Sequence, residues 1–192
     1  MRAGLDVLQE RGFEGFTLQE VSRRASVSIG AIYARAPSRE ALILALHRRA
    51  MDDVAAQERE VLARSTMEGL TIRELIERLV SDMGAVMLGN AAILRVFMRR
   101  APVEPEIWES GAEHSQTLAE VFESALLAHA HELAHPDPEI AIDVAYRFVY
   151  CTLARRITHG GRFESSHELA DKRLVDELAC AAADYLLAPA HR

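Results

Sequence analysis

The sequence predicts an all-α fold, and three observations carry that prediction. Glycine and proline are sparse, at ten and six in 192 residues, while Ala, Leu, Glu and Arg, which enter helices at little cost, dominate. Apolar residues recur at i, i+3, i+4 and i+7 through almost every segment. No segment alternates with a period of two, so no strand is expected.

The elements follow in order. Leu5, Val7 and Leu8 mark an amphipathic helix over residues 1–11, stopped by Gly12. Thr17 is an N-cap, and Glu20 three positions on completes a capping-box pattern. Leu18, Val21 and Ala25 then line one face of a two-turn helix, and Ser26 and Val27 turn the chain. Ser28 caps a helix running from Ile29 to Arg35, with Ile32 inward and Ala31, Tyr33 and Arg35 outward. Pro37 stops it, and Ser38 caps the helix at 38–63, where Leu42, Leu46 and Val54 share a side. Helix, tight turn, helix is the geometry that lays a second helix into the DNA major groove. Gly69 and Thr71 break and restart the chain ahead of five further helices at 72–88, 91–100, 105–134, 138–159 and 167–187. The helix at 138–159 has two apolar faces. Ile140, Val144, Phe148 and Cys151 line one, and Ile142, Tyr146, Val149, Leu153 and Ile157 the other, so it must be covered twice. The last helix carries a small-residue stripe, Ala179, Ala182 and Ala183, that would let a partner approach.

The stretch Gly12-Phe13, Thr17, Val21-Ser22, Ala25-Ser26-Val27-Ser28, Gly30, Ile32-Tyr33, Ser38-Arg39-Glu40 and Leu42 closely resembles the DNA-binding domain of the tetracycline-repressor (TetR) family. Three positions depart from the family pattern. Ser26 stands for the turn glycine, where a positive φ costs a non-glycine residue on the order of 1 kcal/mol. Ala36 stands for an aromatic, removing packing behind the recognition helix, and Arg39 stands for a lysine, which keeps the charge and changes its geometry. The family's basic arm ahead of the first helix is represented only by Arg2: either the start is late or the arm is absent, and fewer phosphate contacts are then expected.

The resemblance implies a helix-turn-helix head at 1–45 and an effector-binding and dimerisation domain at 46–192. It implies operator DNA contacts from Thr17, Ser28, Ile29, Gly30, Ala31, Tyr33, Ala34, Arg35 and Arg39, with Tyr33 on a phosphate and Ala31 and Arg35 facing bases. It also implies a ligand-responsive regulator, a repressor released from double-stranded operator DNA, in which an effector tilts the helix at 38–63. The helices at 138–159 and 167–187 are expected to pair with their twofold mates in a homodimer.

Charge is consistent with one DNA-facing end. The chain carries −7, yet its first 50 residues hold eight arginines against five acids. No apolar run reaches the roughly 18 residues of a membrane span, and no secretory segment opens the chain, so a soluble cytoplasmic protein without a membrane partner is expected. Cys151 and Cys180 read as small buried side chains in a reducing compartment, with a redox pair as the alternative.

Two further patterns compete with this reading. His131-Glu132-Leu133-Ala134-His135 satisfies the H-E-x-x-H zinc pattern and, with His129, opens the alternative of an all-α metal protein or enzyme. Pro136 at once follows it and no third ligand has the right spacing, so neither catalysis nor a metal is assigned. No phosphate-binding loop or nucleophile elbow is present, and no cofactor is implied. Another alternative is a dimer of this kind that has lost DNA binding. The remaining pattern is Met83, Met87, Phe97, Trp108, Phe122, Tyr146 and Tyr150, read as walls of a cavity for a mainly hydrophobic effector.

Overall fold

A computed structural model describes residues 1–64 and 69–188, with the backbone alone at 62–64. Nine α-helices are present among the described residues: α1 (Arg2–Arg11), α2 (Leu18–Ala25), α3 (Ile29–Tyr33), α4 (Arg39–Arg64), α5 (Ile72–Gly89), α6 (Ala91–Arg100), α7 (Pro105–Leu127), α8 (Pro138–His159) and α9 (Asp171–Leu187). Short 3₁₀ turns occupy Ala101–Val103 and Ala130–Glu132, and no strand occurs among the described residues. By contacts the chain divides into two units, Met1–Ala56 with Asn90–His114, and Gln57–Gly89 with Ser115–Arg192.

The first unit is built from short helices that cannot bury much surface alone. Val7 and Leu8 of α1, Leu18 and Val21 of α2, Ile32 of α3, Leu46 of α4 and Phe97 of α6 converge on one core. Gly12 ends α1 at φ 65, where its N–H donates to the Leu8 carbonyl. Ala36, in place of a larger side chain, is itself buried in this core at 5% exposure.

The second unit is dominated by α5 packed along α9, with α8 beside both. The closeness of α5 and α9 has a steric basis. A Cβ on Gly84 would stand 2.6 Å from a methyl of Val175, so only glycine lets the two axes approach this far. Ala179, Ala182 and Ala183 of α9, which packs on both α5 and α8, are at most 4% exposed. The alanine stripe expected to receive a partner is therefore occupied within the chain.

The helices α7 and α9 are both shorter than expected. The segment at 105–134 ends its α-helix at Leu127, because Leu133 turns in to be buried and the Ala134 N–H donates to the Leu186 carbonyl at 3.1 Å. The segment expected at 167–187 becomes helical only at Asp171. Arg156 holds the chain ahead of it as a loop, donating to the Leu169 carbonyl at 2.7 Å and pairing with Asp171. Both cysteines are exposed, which corrects their expected burial.

Candidate functional site

The candidate DNA-binding face is assembled from two caps and a strained turn. The Thr17 Oγ accepts from the Glu20 N–H at 3.3 Å and starts α2. The Glu20 carboxylate does not return to Thr17 as a capping box would. It takes hydrogen bonds from Arg23 at 2.7 Å and Arg24 at 2.8 Å, with Arg11 at 3.2 Å. These partners, Arg23 and then Arg24 first among them, hold its carboxyl down to about 2. Arg24 also reaches Glu10 of α1, so α1 and α2 are clamped by charge. Arg23 and Arg24 thus have partners within the chain.

Ser26 adopts φ 53 and ψ 41, the left-handed conformation expected for the turn. The turn is closed by Ser22, whose Oγ donates to the Val27 carbonyl at 2.6 Å. The Ser28 Oγ then accepts from the Ala31 N–H at 3.1 Å and starts α3, a helix of only five residues. It ends at Tyr33 rather than Arg35, and Ala34 and Arg35 continue as a turn.

Ile32 is buried and anchors α3, while Ser28, Gly30, Tyr33, Ala34 and Arg35 are exposed and Ile29 and Ala31 half-buried. Tyr33 is 50% exposed, and neither its hydroxyl nor the Arg35 guanidinium has a partner among the described residues. Nothing inside the chain demands glycine at position 30: an added Cβ would meet only the Ser28 Oγ, at 3.8 Å. Arg39 differs from these. Its guanidinium donates to the Phe16 carbonyl at 3.0 Å and to the Phe13 carbonyl, and it stands over the Phe16 ring. It first of all ties the loop ahead of α2 to the start of α4, a role the sequence does not reveal.

The seven expected cavity residues are divided between the two units. Phe97 lies in the first unit, 3% exposed, edge-on to Phe13 at 6.0 Å and to His47 at 4.6 Å. Trp108, also in that unit, is 59% exposed. Met83, Met87, Phe122, Tyr146 and Tyr150 lie in the second unit. There Phe122 contacts Tyr146 at 5.8 Å and Tyr146 stacks on Tyr150 at 5.7 Å. The Tyr146 hydroxyl donates to the Ser115 carbonyl at 2.7 Å, and burial pushes its phenol well above the usual range.

An apolar cleft opens beside this cluster. Leu79, Met83, Val86, Leu118, Val121 and Phe122 line it, together with Val61, Glu58 and Asp82. Its volume is about 30 Å³, room for little more than a water molecule. Only Met83 and Phe122 among the expected walls line it. The other apolar walls sit at the helical positions beside them and carry no signal of residue type that separates them from ordinary core.

The H-E-x-x-H pattern loses its geometric premise. His131 and Glu132 lie on the 3₁₀ turn, Leu133 is extended, and the two imidazoles share no helical face. Glu132 pairs with His129 at 2.8 Å, while His135 lies against Asp137. Among the described residues no group of three or more His, Cys, Asp or Glu side chains is placed to hold a metal ion. No single described helix is long and apolar enough to cross a membrane.

Comparison with known proteins bears on this arrangement. Residues 1–46 match the model of bacterial regulatory proteins of the tetR family, and residues 71–186 match the tetracyclin repressor-like C-terminal domain. No curated protein matches the sequence. The fold is similar to that of a transcriptional regulator from Rhodococcus, at 20% identity, TM-score 0.70, and coverage of 97% of this chain and 92% of that one. It is also similar to the ketosteroid transcriptional regulator of Mycobacterium tuberculosis, at 15% identity, TM-score 0.64, and coverage of 97% and 92%. A third similar structure is the transcriptional regulator FadR from Bacillus subtilis in complex with stearoyl-CoA, at 15% identity, TM-score 0.65, and coverage of 99% and 97%. With one family model covering more than half of the chain and another covering its helix-turn-helix, the chain belongs to the TetR family of DNA-binding transcription regulators.

Proposed function

We propose that this regulator is a homodimeric, non-enzymatic repressor that leaves its operator when a small hydrophobic effector binds, with residues 1–45 reading DNA and residues 46–192 carrying the effector and dimer functions. The outward set on and around α3 carries the reading. Gly30, Tyr33 and Arg35 are exposed, and none is explained by the chain's own packing. Ser28, Ile29, Ala31 and Ala34 share the same short element, and Thr17 starts the helix before it. Arg39 adds charge to this face only through what its loop contacts leave over.

The dimer reading is supported by two apolar stripes without cover. Ile140, Val144, Phe148 and Cys151 of α8 are wholly or partly exposed at helical spacing, as are Leu174, Leu178, Ala181 and Tyr185 of α9. Phe148 and Tyr185 meet edge-on at 6.1 Å, so the two stripes form one continuous face. A twofold axis through that face would bury both.

The effector reading rests on the cleft of Leu79, Met83, Val86, Leu118, Val121 and Phe122, which a ligand must widen by moving side chains. A fold neighbour is known with stearoyl-CoA. Here the mainly apolar lining of the cleft favours a neutral, mainly apolar guest. Its binding would tilt α4 and alter the spacing of the two heads, and by reciprocity operator DNA would weaken its binding equally.

A gel shift against DNA upstream of the gene tests the docking. Tyr33→Phe should weaken binding to all sequences alike, while Arg35→Ala should relax base preference by about 1–3 kcal/mol. Unchanged affinity and selectivity in both variants would remove the α3 model.

A further inference from the structure

The first unit does not end with the helix-turn-helix. Asn90–His114 belongs to it as well, and Ile93, Phe97 and Ile107 share a core with Val7 and Phe16. From the end of α6, Arg100 reaches the loop between α1 and α2. Its guanidinium stands over the Phe13 ring, 5.3 Å from the centroid. Phe97, three positions earlier on α6, meets the same ring edge-on at 6.0 Å. The Arg100 Nη2 donates to the Glu104 carboxylate at 3.2 Å.

The loop thus has an arginine at each aromatic end, and the two are used differently. Arg39 stands over Phe16 and spends its N–H groups on the Phe13 and Phe16 carbonyls. The Arg100 Nε is buried and has no hydrogen-bond partner among the described residues. A buried donor left unmet carries its full desolvation penalty, so hydrogen bonding does not explain where this side chain lies. Its pair with Glu104 is more than a third exposed on both sides and holds little by itself. The ring contact remains, since a planar guanidinium stacks well on an aromatic face. Beyond that ring the chain has no slack. The Phe16 N–H returns to the Phe13 carbonyl at 3.4 Å, Phe16 is 1% exposed, and the next residue, Thr17, caps α2.

We propose that Arg100 is a positioning residue for the DNA-reading face. By covering Phe13 it fixes the loop from Gly12 to Phe16, and so the point where α2 starts and Thr17 meets the operator. Arg100 itself does not touch DNA. The inference rests on the docking reading above and adds to it a side chain far outside residues 1–45.

Fluorescence anisotropy of labelled upstream DNA tests it, with full-length variants that circular dichroism shows to be fully folded. Arg100→Met keeps the apolar stem and should weaken binding by about tenfold. Arg100→Gln serves in its place if the methionine variant does not fold. Phe13→Leu reaches the same contact from the other side and should cause a similar loss. The double variant should then be weaker than either single one by no more than about twofold. In Arg100→Met the slope of log affinity against log salt should stay unchanged, because no phosphate contact is lost. Additive losses or an unchanged affinity in the Arg100 variant would overturn the proposal. So would a slope reduced by about one contact, since Arg100 would then touch DNA itself. If Tyr33→Phe weakens binding and Arg100→Met does not, only this inference falls. If the wild type binds no upstream DNA, the docking reading falls with it.

Discussion

The two units are both helical and are held together by different forces. In the first, α2 and α3 have eight and five residues, too few to be stable on their own. Charge and caps hold them: Glu20 gathers Arg11, Arg23 and Arg24, Arg39 pins two loop carbonyls, and Ser22 closes the turn. In the second, α5, α8 and α9 have seventeen or more residues each and interlock through small side chains at Gly84, Ala179, Ala182 and Ala183. A consequence concerns DNA. Several arginines that make the head look basic are already paired internally, so Arg35 counts for more than the bare charge suggests.

The largest test of that contrast is a pair of neighbouring substitutions on α9. Ala182 is fully buried and Ala181 exposed on the uncovered stripe. Ala182→Glu would put an unpaired carboxylate into the buried side of α9 and should cost about 3–5 kcal/mol, enough to unfold the second unit. Ala181→Glu should leave the thermal midpoint almost unchanged but yield monomers by light scattering, together with lost operator binding. If Ala182→Glu instead gave a folded monomer, the alanine stripe would belong to the subunit interface after all.

Acid should separate the units next. His47, with its pKa near 4 against the ordinary 6.5, is kept neutral by the fold. The unfolded chain takes up this proton below about pH 6.5, so stability present above that pH is lost on the way down to about 4, by roughly 3 kcal/mol at most. Arg48 adds to the loss, and the facing Glu106, Glu109 and Glu113 moderate it. Glu20, held near 2, adds a further loss as pH falls from about 4.5 toward 2. Both groups are in the first unit. Hydrogen exchange between pH 7 and 4 should therefore show protection falling in α1–α4 before α5, α8 and α9. Trp108, the one tryptophan, sits in the same unit and supplies a fluorescence signal for it. Simultaneous loss in both units would show that neither group governs acid stability.

The same contrast explains what could be read in advance. The helix-turn-helix was legible because its spacing is set by local backbone chemistry at Thr17, Ser26, Ser28 and Pro37. Side-chain destinations were not. Thr17 and Glu20 share the pattern of Thr71 and Glu74, yet only the second pair closes a full capping box. There Glu74 accepts from the Thr71 N–H at 2.8 Å and its own N–H donates to the Thr71 Oγ at 3.3 Å. At Glu20 the arginines three and four positions on compete for the carboxylate and win. Helical period placed α5 and α8 correctly. It could not show which Met or aromatic residue faces a cleft, because Phe97 and Phe122 look alike on a helical stripe and sit in different units. Nor could it show that α7 ends at Leu127, a boundary set by contact with the distant Leu186.

The smallest effect concerns the turn itself. Ser26 at φ 53 occupies a region that L-residues other than Asn and Asp seldom visit, at a cost of about 1 kcal/mol that glycine avoids. No partner of its side chain is found among the described residues, and the closing bond of the turn comes from Ser22 instead. Replacing the hydroxyl should therefore do nothing, while relieving the backbone should help. Ser26→Gly is expected to raise the stability of the first unit by up to about 1 kcal/mol, less whatever the unfolded glycine gains in freedom, and Ser26→Ala to leave it level. Hydrogen exchange of the α2 and α3 amides in the two variants separates the cases. Equal protection in Gly and Ala variants would mean that no strain is stored at Ser26 and that the charge clamps alone set the stability of the head.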